Sequence, residues 1–175
     1  MARPRPEPVQ VVKQRRDAAL KALVDGVPYS RFLGVTFDRR GDELTGVMNY
    51  DEKLIGNPFL PALHGGATAA FLEVTAIIAL GWSQLWPRIE TGALDPQDLV
   101  AGKLPRLPKT IDFTVDYLRS GLPRDAYARA TISRSGRRYA SVHVAAWQDH
   151  HDRHYAQATG HFLMPQPAPT PDRDA

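Results

Sequence analysis

The sequence predicts an α+β fold in which an antiparallel β-sheet wraps around one long buried helix. The first observation behind this prediction is a helical stretch, residues 67–82, that is apolar on almost every side and holds a single charged residue, Glu73. A helix without a polar face belongs in the interior, where other elements cover it. The second observation is a series of short segments with alternating apolar and polar residues, typical of strands that cover a core with one face.

Residues 9–164 are expected to form one domain between two disordered ends. Residues 1–8 and 165–175 are rich in proline and charge, a composition that favours disorder. The chain has 175 residues and is 43% hydrophobic. That length and composition suit a single core that buries roughly 70% of the surface of the unfolded chain.

The elements before the buried helix are predicted from residue spacing and turn residues. Apolar residues at helical intervals predict an amphipathic helix over residues 9–24. A short helical turn is expected at residues 28–33. The segments 34–40 and 43–49 flank Gly41-Asp42, which predicts a β-hairpin.

The chain after the buried helix is predicted to be irregular and then rich in strands. Residues 83–109 contain four prolines and are expected to form a long loop with a short helix at residues 96–101. Alternating residues then predict four strands that pair as consecutive antiparallel hairpins. These strands are residues 110–117, 125–134, 137–148 and 154–163. The side chains expected on the buried face of the first of them are Ile111, Phe113, Val115 and Tyr117.

The acid on the buried helix favours a functional site over a membrane span. A span needs roughly 20 apolar residues, and the 16 residues of this stretch are interrupted by Glu73. An ionised carboxylate in an apolar environment is costly unless another group pairs with it or the protein uses it. We therefore predict a buried helix that carries a functional acid.

The start of the same helix is a candidate site for a negatively charged group. The first N–H groups of a helix have no partner within the helix, and Gly65-Gly66 lets another group approach them closely. Such a turn can bind the oxyanion that develops on an attacked carbonyl. The alternative is that the two glycines only permit a tight turn. His64 is expected to orient this turn.

The separation of the two candidates predicts a homodimer. Gly65 and Glu73 are eight residues apart, which is roughly 12 Å along a helix. One carbonyl carbon must lie within ~3 Å of both the attacking group and the oxyanion donors. Two copies related by a two-fold axis satisfy this condition if Glu73 of one subunit faces Gly65 of the other.

Composition excludes several other classes of function. The net charge is +3 and the Arg and Lys residues are dispersed, so no nucleic-acid partner is expected. The chain has no Cys, which excludes thiol chemistry and disulfides. The N-terminus lacks an apolar export segment, so a cytoplasmic location is expected. The His-rich stretch 149–154 fits no defined metal-ligand spacing and is interpreted as a solvated turn.

The order of elements and the helix-start motif together resemble a known family. His64-Gly65-Gly66, Glu73, Asn57 and the segments TVDYLR (114–119) and RSGRR (134–138) are similar to hotdog-fold acyl-CoA thioesterases of the PaaI-type and 4-hydroxybenzoyl-CoA thioesterase group. The similarity spans residues 28–164. It implies a hotdog fold and a thioester hydrolase without a metal or cofactor, and the homodimer is expected to pair into a dimer of dimers.

The resemblance also implies a role for each motif residue. Glu73 would act as nucleophile or general base, and the backbone N–H of Gly65 would donate to the thioester oxygen. Asn57 would position water or substrate. In that group a Ser or Thr often orients the acid, and the sequence offers no counterpart, since Thr75 is not at the expected offset. The residues expected to help bind the coenzyme A part of the substrate are Gly66, Arg134, Gly136, Arg137 and Arg138.

Two alternative functions remain open at this point. One is an acyl-CoA-binding hotdog protein without catalytic activity, which would bind coenzyme A esters without turnover. The other is a hydratase or dehydratase acting on enoyl or hydroxyacyl thioesters, although the sequence lacks the hydratase signature loop. Release of a free thiol distinguishes hydrolysis from both. The identity of the acyl group cannot be predicted from the residues.

Overall fold

One six-stranded antiparallel sheet wraps around a 26-residue helix. The computed structural model describes residues 7–166, so the predicted disorder of residues 1–6 and 167–175 lies outside the described part of the chain. The elements, in chain order, are α1 (Val9–Asp25), α2 (Pro28–Leu33), β1 (Val35–Arg40), β2 (Glu43–Met48), a 3-10 turn (Glu52–Leu54), β3 (Ile55–Asn57), β4 (Ala62–Leu63), α3 (Gly65–Glu90), α4 (Pro96–Val100), β5 (Lys109–Tyr117), β6 (Ala126–Ser135), β7 (Tyr139–Trp147) and β8 (Ala156–Leu163). The predicted α+β architecture with a central helix is confirmed.

The pairing of β5 differs from the prediction. The strand order in the sheet is β1-β2-β6-β7-β8-β5, so β6, β7 and β8 form consecutive hairpins but β5 pairs with β8 at the edge. The segment between β5 and β6 is a crossover along the end of the sheet. Its first two amides, those of Leu118 and Arg119, both donate to the Tyr155 carbonyl at the start of β8. Alternation within a strand does not reveal its neighbour, which is why this pairing was predicted wrongly.

The central helix is longer than predicted. The sequence predicted irregular structure from residue 83, whereas α3 continues to Glu90 and contains Pro87. A proline inside a helix removes one hydrogen bond and is costly. Here Leu85, Trp86 and Ile89 are buried around it, so packing of the last turns offsets the cost. The short helix α4 is confirmed, with the Asp95 carboxylate accepting from the Gln97 amide at its start.

The protein's own sheet covers much of α3. By length and composition the helix could cross a membrane, with a mean hydropathy of 1.4 over its most apolar window, but 56% of that window is buried inside the protein. Small residues let the sheet approach closely. Ala126 and Ala128 of β6 are fully buried, and a Cβ at Gly46 of β2 would lie 2.8 Å from the Thr75 hydroxyl. This side of α3 therefore packs closely against the sheet.

Strand β5 carries a bulge that changes which side chains face the helix. Its pairing with β8 shifts register between Thr110 and Asp112, which leaves Ile111 without a pairing partner. A bulge inserts one residue and changes which face the preceding side chains occupy. Thr110 is therefore partly buried toward α3, while Ile111 is 55% exposed. The predicted buried face was wrong for Ile111, and also for Tyr117, which is 56% exposed.

Candidate active site

The turn that starts α3 is held by the side chain of His64. This residue is the N-cap, with extended backbone angles (φ −60°, ψ 131°), and its Nδ1 accepts a hydrogen bond from the Gly66 amide at 2.9 Å. N-cap side chains stabilise a helix because they pair with one of its free amides. The predicted orienting role of His64 matches this contact. The amide of Gly66 is engaged by His64, so it contributes no free donor to a substrate.

Tyr117 holds the next backbone group of the turn. Its hydroxyl donates to the Gly65 carbonyl at 2.8 Å. A Cβ at Gly65 would lie 3.3 Å from the Tyr117 ring and hydroxyl oxygen, tighter than most such contacts. The Gly65–Gly66 peptide is thus held at its carbonyl by Tyr117 and at its amide by His64. The sequence analysis included Tyr117 in the segment TVDYLR (114–119) but did not assign it to the site.

The amide of Gly65 is a donor that these contacts leave free. Among residues 7–166 no acceptor pairs with it, since the hydrogen bonds of the turn use the amides of His64, Gly66 and Thr68. A free amide at a helix start also lies at the positive end of the helix dipole. This geometry is compatible with the expected oxyanion donor.

Glu73 forms a hydrogen bond with a residue that the sequence did not identify. The Thr110 hydroxyl donates to its Oε1 at 2.6 Å, and the pair is partly buried. The hydroxyl beside the acid therefore comes from strand β5 and not from the helix. The bulge at Ile111 turns the Thr110 side chain toward Glu73. A strict two-residue alternation predicts the opposite face for Thr110, so the sequence analysis missed this contact. Thr75 is buried and donates to the Phe71 carbonyl within the helix, away from Glu73.

Asn57 lies in an exposed loop before the helix. Its Oδ1 accepts from the amides of Phe59 and Leu60 at 3.0 and 3.3 Å, so it caps the turn that follows β3. Within the described residues it forms no hydrogen bond with Glu73 of the same chain. The loop that Asn57 shapes leads directly to His64.

The RSGRR segment forms the exposed β6–β7 turn. None of the ion pairs among residues 7–166 involves Arg134, Arg137 or Arg138, so their charges are available to a ligand. The backbone amide of Gly136 is not free to bind a ligand. That amide donates to the Tyr139 carbonyl at 2.8 Å, because the turn closes on itself.

The His-rich turn between β7 and β8 has structural contacts. His151 packs edge-on against Trp147, with 4.6 Å between ring centroids. Asp149 forms an ion pair with Arg124. In the described part of the chain, no group of three or more His, Asp or Glu side chains is arranged to hold a metal ion. These contacts agree with the interpretation of the segment as a turn.

Tyr155 is a buried phenol under the first turns of α3. The side chain is 4% exposed, and its hydroxyl lies beside Thr68 without a hydrogen bond of good geometry. Burial raises the pKa of Tyr155 to about 12, and the Thr68 hydroxyl opposes this shift only in part. The phenol therefore stays neutral and structural.

Known proteins resemble this chain in sequence and in fold. A model of the thioesterase superfamily matches residues 60–153. Medium/long-chain acyl-CoA thioesterase YigI of Salmonella typhimurium is 31% identical over 140 residues, which cover 79% of this chain and 86% of the relative. The Escherichia coli K12 protein of the same name is 30% identical over 139 residues, with the same coverage. A crystal structure from Shewanella oneidensis, described as related to the thioesterase superfamily, aligns with a TM-score of 0.61 and 25% identity over 90% of this chain and 99% of that one.

Proposed function

The chain belongs to the thioesterase superfamily, and we propose that it hydrolyses acyl-CoA thioesters to a free acid and coenzyme A. The family predicted from the helix-start motif is confirmed by the match to residues 60–153 and by relatives with about 30% identity. The names of those relatives favour acyl groups of medium or long chain as substrates. The observation that supports the reaction best is the Glu73 carboxylate held by Thr110 on the side of α3 that faces β5.

Glu73 is the proposed nucleophile or general base. Thr110 engages Oε1, so Oε2 is available for the reaction. As a base, Oε2 removes a proton from water while the water oxygen bonds to the carbonyl carbon. The C–S bond then breaks, and the thiolate of coenzyme A leaves and takes up a proton. As a nucleophile, Oε2 bonds to the carbonyl carbon, the C–S bond breaks and the thiolate leaves, and water then hydrolyses the resulting anhydride to the free acid and the Glu73 carboxylate.

The Gly65 amide is the proposed oxyanion donor. Preorganised donors stabilise charge that develops in the transition state because they need no reorientation during the reaction. Tyr117 and His64 restrain the peptide that follows Gly65, and this restraint fixes the direction of the turn. Both residues act here as positioning residues.

A homodimer would complete the site. Gly65 and Glu73 lie on one helix, roughly 12 Å apart along its axis, so Gly65 of a second copy is the proposed partner of Glu73. Strand β5 supports this assembly because it lies at the sheet edge and exposes Ile111 and Tyr117, at 55% and 56%, and Leu118 directly after it is 48% exposed. An exposed apolar edge strand is a template for pairing with another chain. Sedimentation analysis tests the dimer and the expected dimer of dimers.

Substitution of Glu73 by Gln tests the proposed reaction. The variant keeps the shape of the side chain and removes the base, so thiol release from acyl-CoA should fall by at least ~100-fold with an intact fold. Glu90→Gln is a matched control at the far end of α3, where the carboxylate pairs with Arg16 on the surface. The control should retain normal turnover.

The outcomes of this assay also decide between the alternative functions. Near-normal turnover of Glu73→Gln would reject the assignment of the acid. Binding of acyl-CoA by the wild-type protein without thiol release would favour the non-catalytic reading. A change in the absorbance of an enoyl thioester without thiol release would favour a hydratase.

A further inference from the structure

A cationic cavity lies beyond Glu73 on the same side of α3. Its volume is about 560 Å³, and it is lined by the last turns of α3, the segment before β5 and the residues after β8. Arg88 and Arg106 line it together with Gln84 and Gln166, and none of the described residues that line it is acidic. Its lining side chains are therefore suited to an anionic ligand.

The helical repeat places Gln84 and Arg88, which line the cavity, on the same face of α3 as Glu73. Residues 73, 77, 84 and 88 follow one another at steps of four, seven and four, which keeps them on one face of an α-helix. Gln84 is roughly 16 Å and Arg88 roughly 22 Å from Glu73 along the axis, at ~1.5 Å per residue. The segment before β5 runs alongside, since a Cβ at Gly81 would lie 3.1 Å from the Leu107 side chain.

The charges of the cavity are not neutralised within the described chain. No ion pair among residues 7–166 includes Arg88 or Arg106. Gln166 connects the cavity to the β6–β7 turn, because its side-chain amide donates to the Arg137 carbonyl at 2.8 Å. The backbone of the RSGRR turn at Arg137 thus lies next to a residue that lines the cavity.

The ~22 Å from Glu73 to Arg88 along the axis is longer than the arm of coenzyme A, but the Arg88 side chain leans back toward the start of the helix. Arg106 lies only four residues before Thr110, the partner of Glu73. About a dozen bonds separate the sulfur of coenzyme A from its diphosphate, the same number as in four extended residues, or ~14 Å. We propose that Arg88 and Arg106 bind the phosphate groups of the coenzyme A nucleotide while the thioester lies at Glu73. This inference rests on the proposed function and adds a phosphate subsite to it. Arginine suits this role because its planar group forms paired hydrogen bonds with phosphate oxygens.

The test compares two thioesters of the same acid, one of coenzyme A and one of pantetheine, which lacks the nucleotide. In Arg88→Gln and Arg106→Gln, KM for the acyl-CoA should rise on the order of tenfold for each change. KM for the acyl-pantetheine and both kcat values should stay near those of the wild type. Adenosine 3′,5′-bisphosphate, a probe of the nucleotide end alone, should inhibit the wild type more strongly than either variant.

Arg40→Gln is the matched control for the loss of one positive charge. Arg40 lies on β1, at the opposite edge of the sheet, and its substitution should leave every KM unchanged. An unchanged KM for acyl-CoA in the double variant Arg88→Gln/Arg106→Gln would overturn the subsite and leave the proposed function intact. Equal increases for both thioesters would also overturn it, because the arginines would then act elsewhere on the substrate. Failure of the wild type to release thiol from either ester would reject the proposed function itself.

Discussion

The two faces of α3 differ in how they satisfy their polar groups. The closed face, defined by Thr68, Phe71, Thr75 and Ile78, is buried against the sheet, and Thr75 pairs with a carbonyl of its own helix. The open face, defined by Glu73, Ile77, Gln84 and Arg88, faces β5 and the cavity. There Glu73 pairs with a hydroxyl from another strand.

From this difference we expect stability and activity to depend on separate sides of one helix. The Thr75 hydroxyl already has a hydrogen-bond partner within its own helix. It needs no further polar partner, so the closed face can pack tightly against the sheet. A carboxylate with one engaged oxygen and one free oxygen is suited to chemistry. Substitutions on the closed face should therefore lower stability, and substitutions around the open face should lower turnover.

The largest expected effect is on the closed face. Phe71 is fully buried, and Phe71→Ala should lower the free energy of unfolding by about 4 kcal/mol because it leaves a cavity. Urea denaturation measures this change. Ile77→Ala on the half-buried open face is the control and should cost roughly 1 kcal/mol. Equal losses for the two variants would contradict the division into faces.

Tyr155, which packs under the closed face, should make stability fall at high pH. Its pKa rises from 10.0 in the unfolded chain to about 12 in the folded protein. Above pH 10 the unfolded chain loses the proton first, so stability present below pH 10 is lost toward pH 12. The full loss amounts to ~2.7 kcal/mol for a shift of two pH units. Urea midpoints of wild type and Tyr155→Phe should diverge between pH 8 and pH 11, and parallel pH profiles would refute the effect.

Removal of the Thr110 hydroxyl should lower turnover more than stability. Thr110→Val leaves Glu73 without its orienting donor, and a hydrogen bond to a charged group is worth ~2 kcal/mol, or a factor of about 30 in kcat. Steady-state thiol release measures the change, and Thr110→Ser should restore most of it. Thr75→Val on the closed face is the matched control, with kcat unchanged. A normal kcat in Thr110→Val would show that this hydroxyl has no role in turnover.

The smallest expected effect concerns the Tyr117 hydroxyl. Tyr117→Phe keeps the ring against Gly65 and removes one hydrogen bond to the Gly65 carbonyl, worth ~1 kcal/mol. We expect kcat to fall about fivefold and KM to change little, because the turn would be less well oriented in the transition state. Tyr29→Phe, at an exposed position away from β5, is the control. A rise in KM alone would assign Tyr117 to substrate binding instead.

The sequence was sufficient for those features that depend on local pattern. The apolar stretch around Glu73 and the His64-Gly65-Gly66 turn predicted the central helix, its start and the family. The pairing of β5 depends on which strands meet after a crossover, and the contact of Thr110 depends on one bulge residue. Neither leaves a periodic signal. The extension of α3 through Pro87 was missed because burial around it outweighs the local preference of proline.

The hydrogen bond from the Gly66 amide to His64 Nδ1 fixes the tautomer of the imidazole. Since Nδ1 accepts, the ring proton of the neutral side chain belongs on Nε2. With its lone pair on Nδ1 engaged in the cap, the ring has no free nitrogen with which to take a proton from water. His64 can only offer an N–H group outward, so in the proposed hydrolysis the acceptance of a proton would fall to the carboxylate of Glu73.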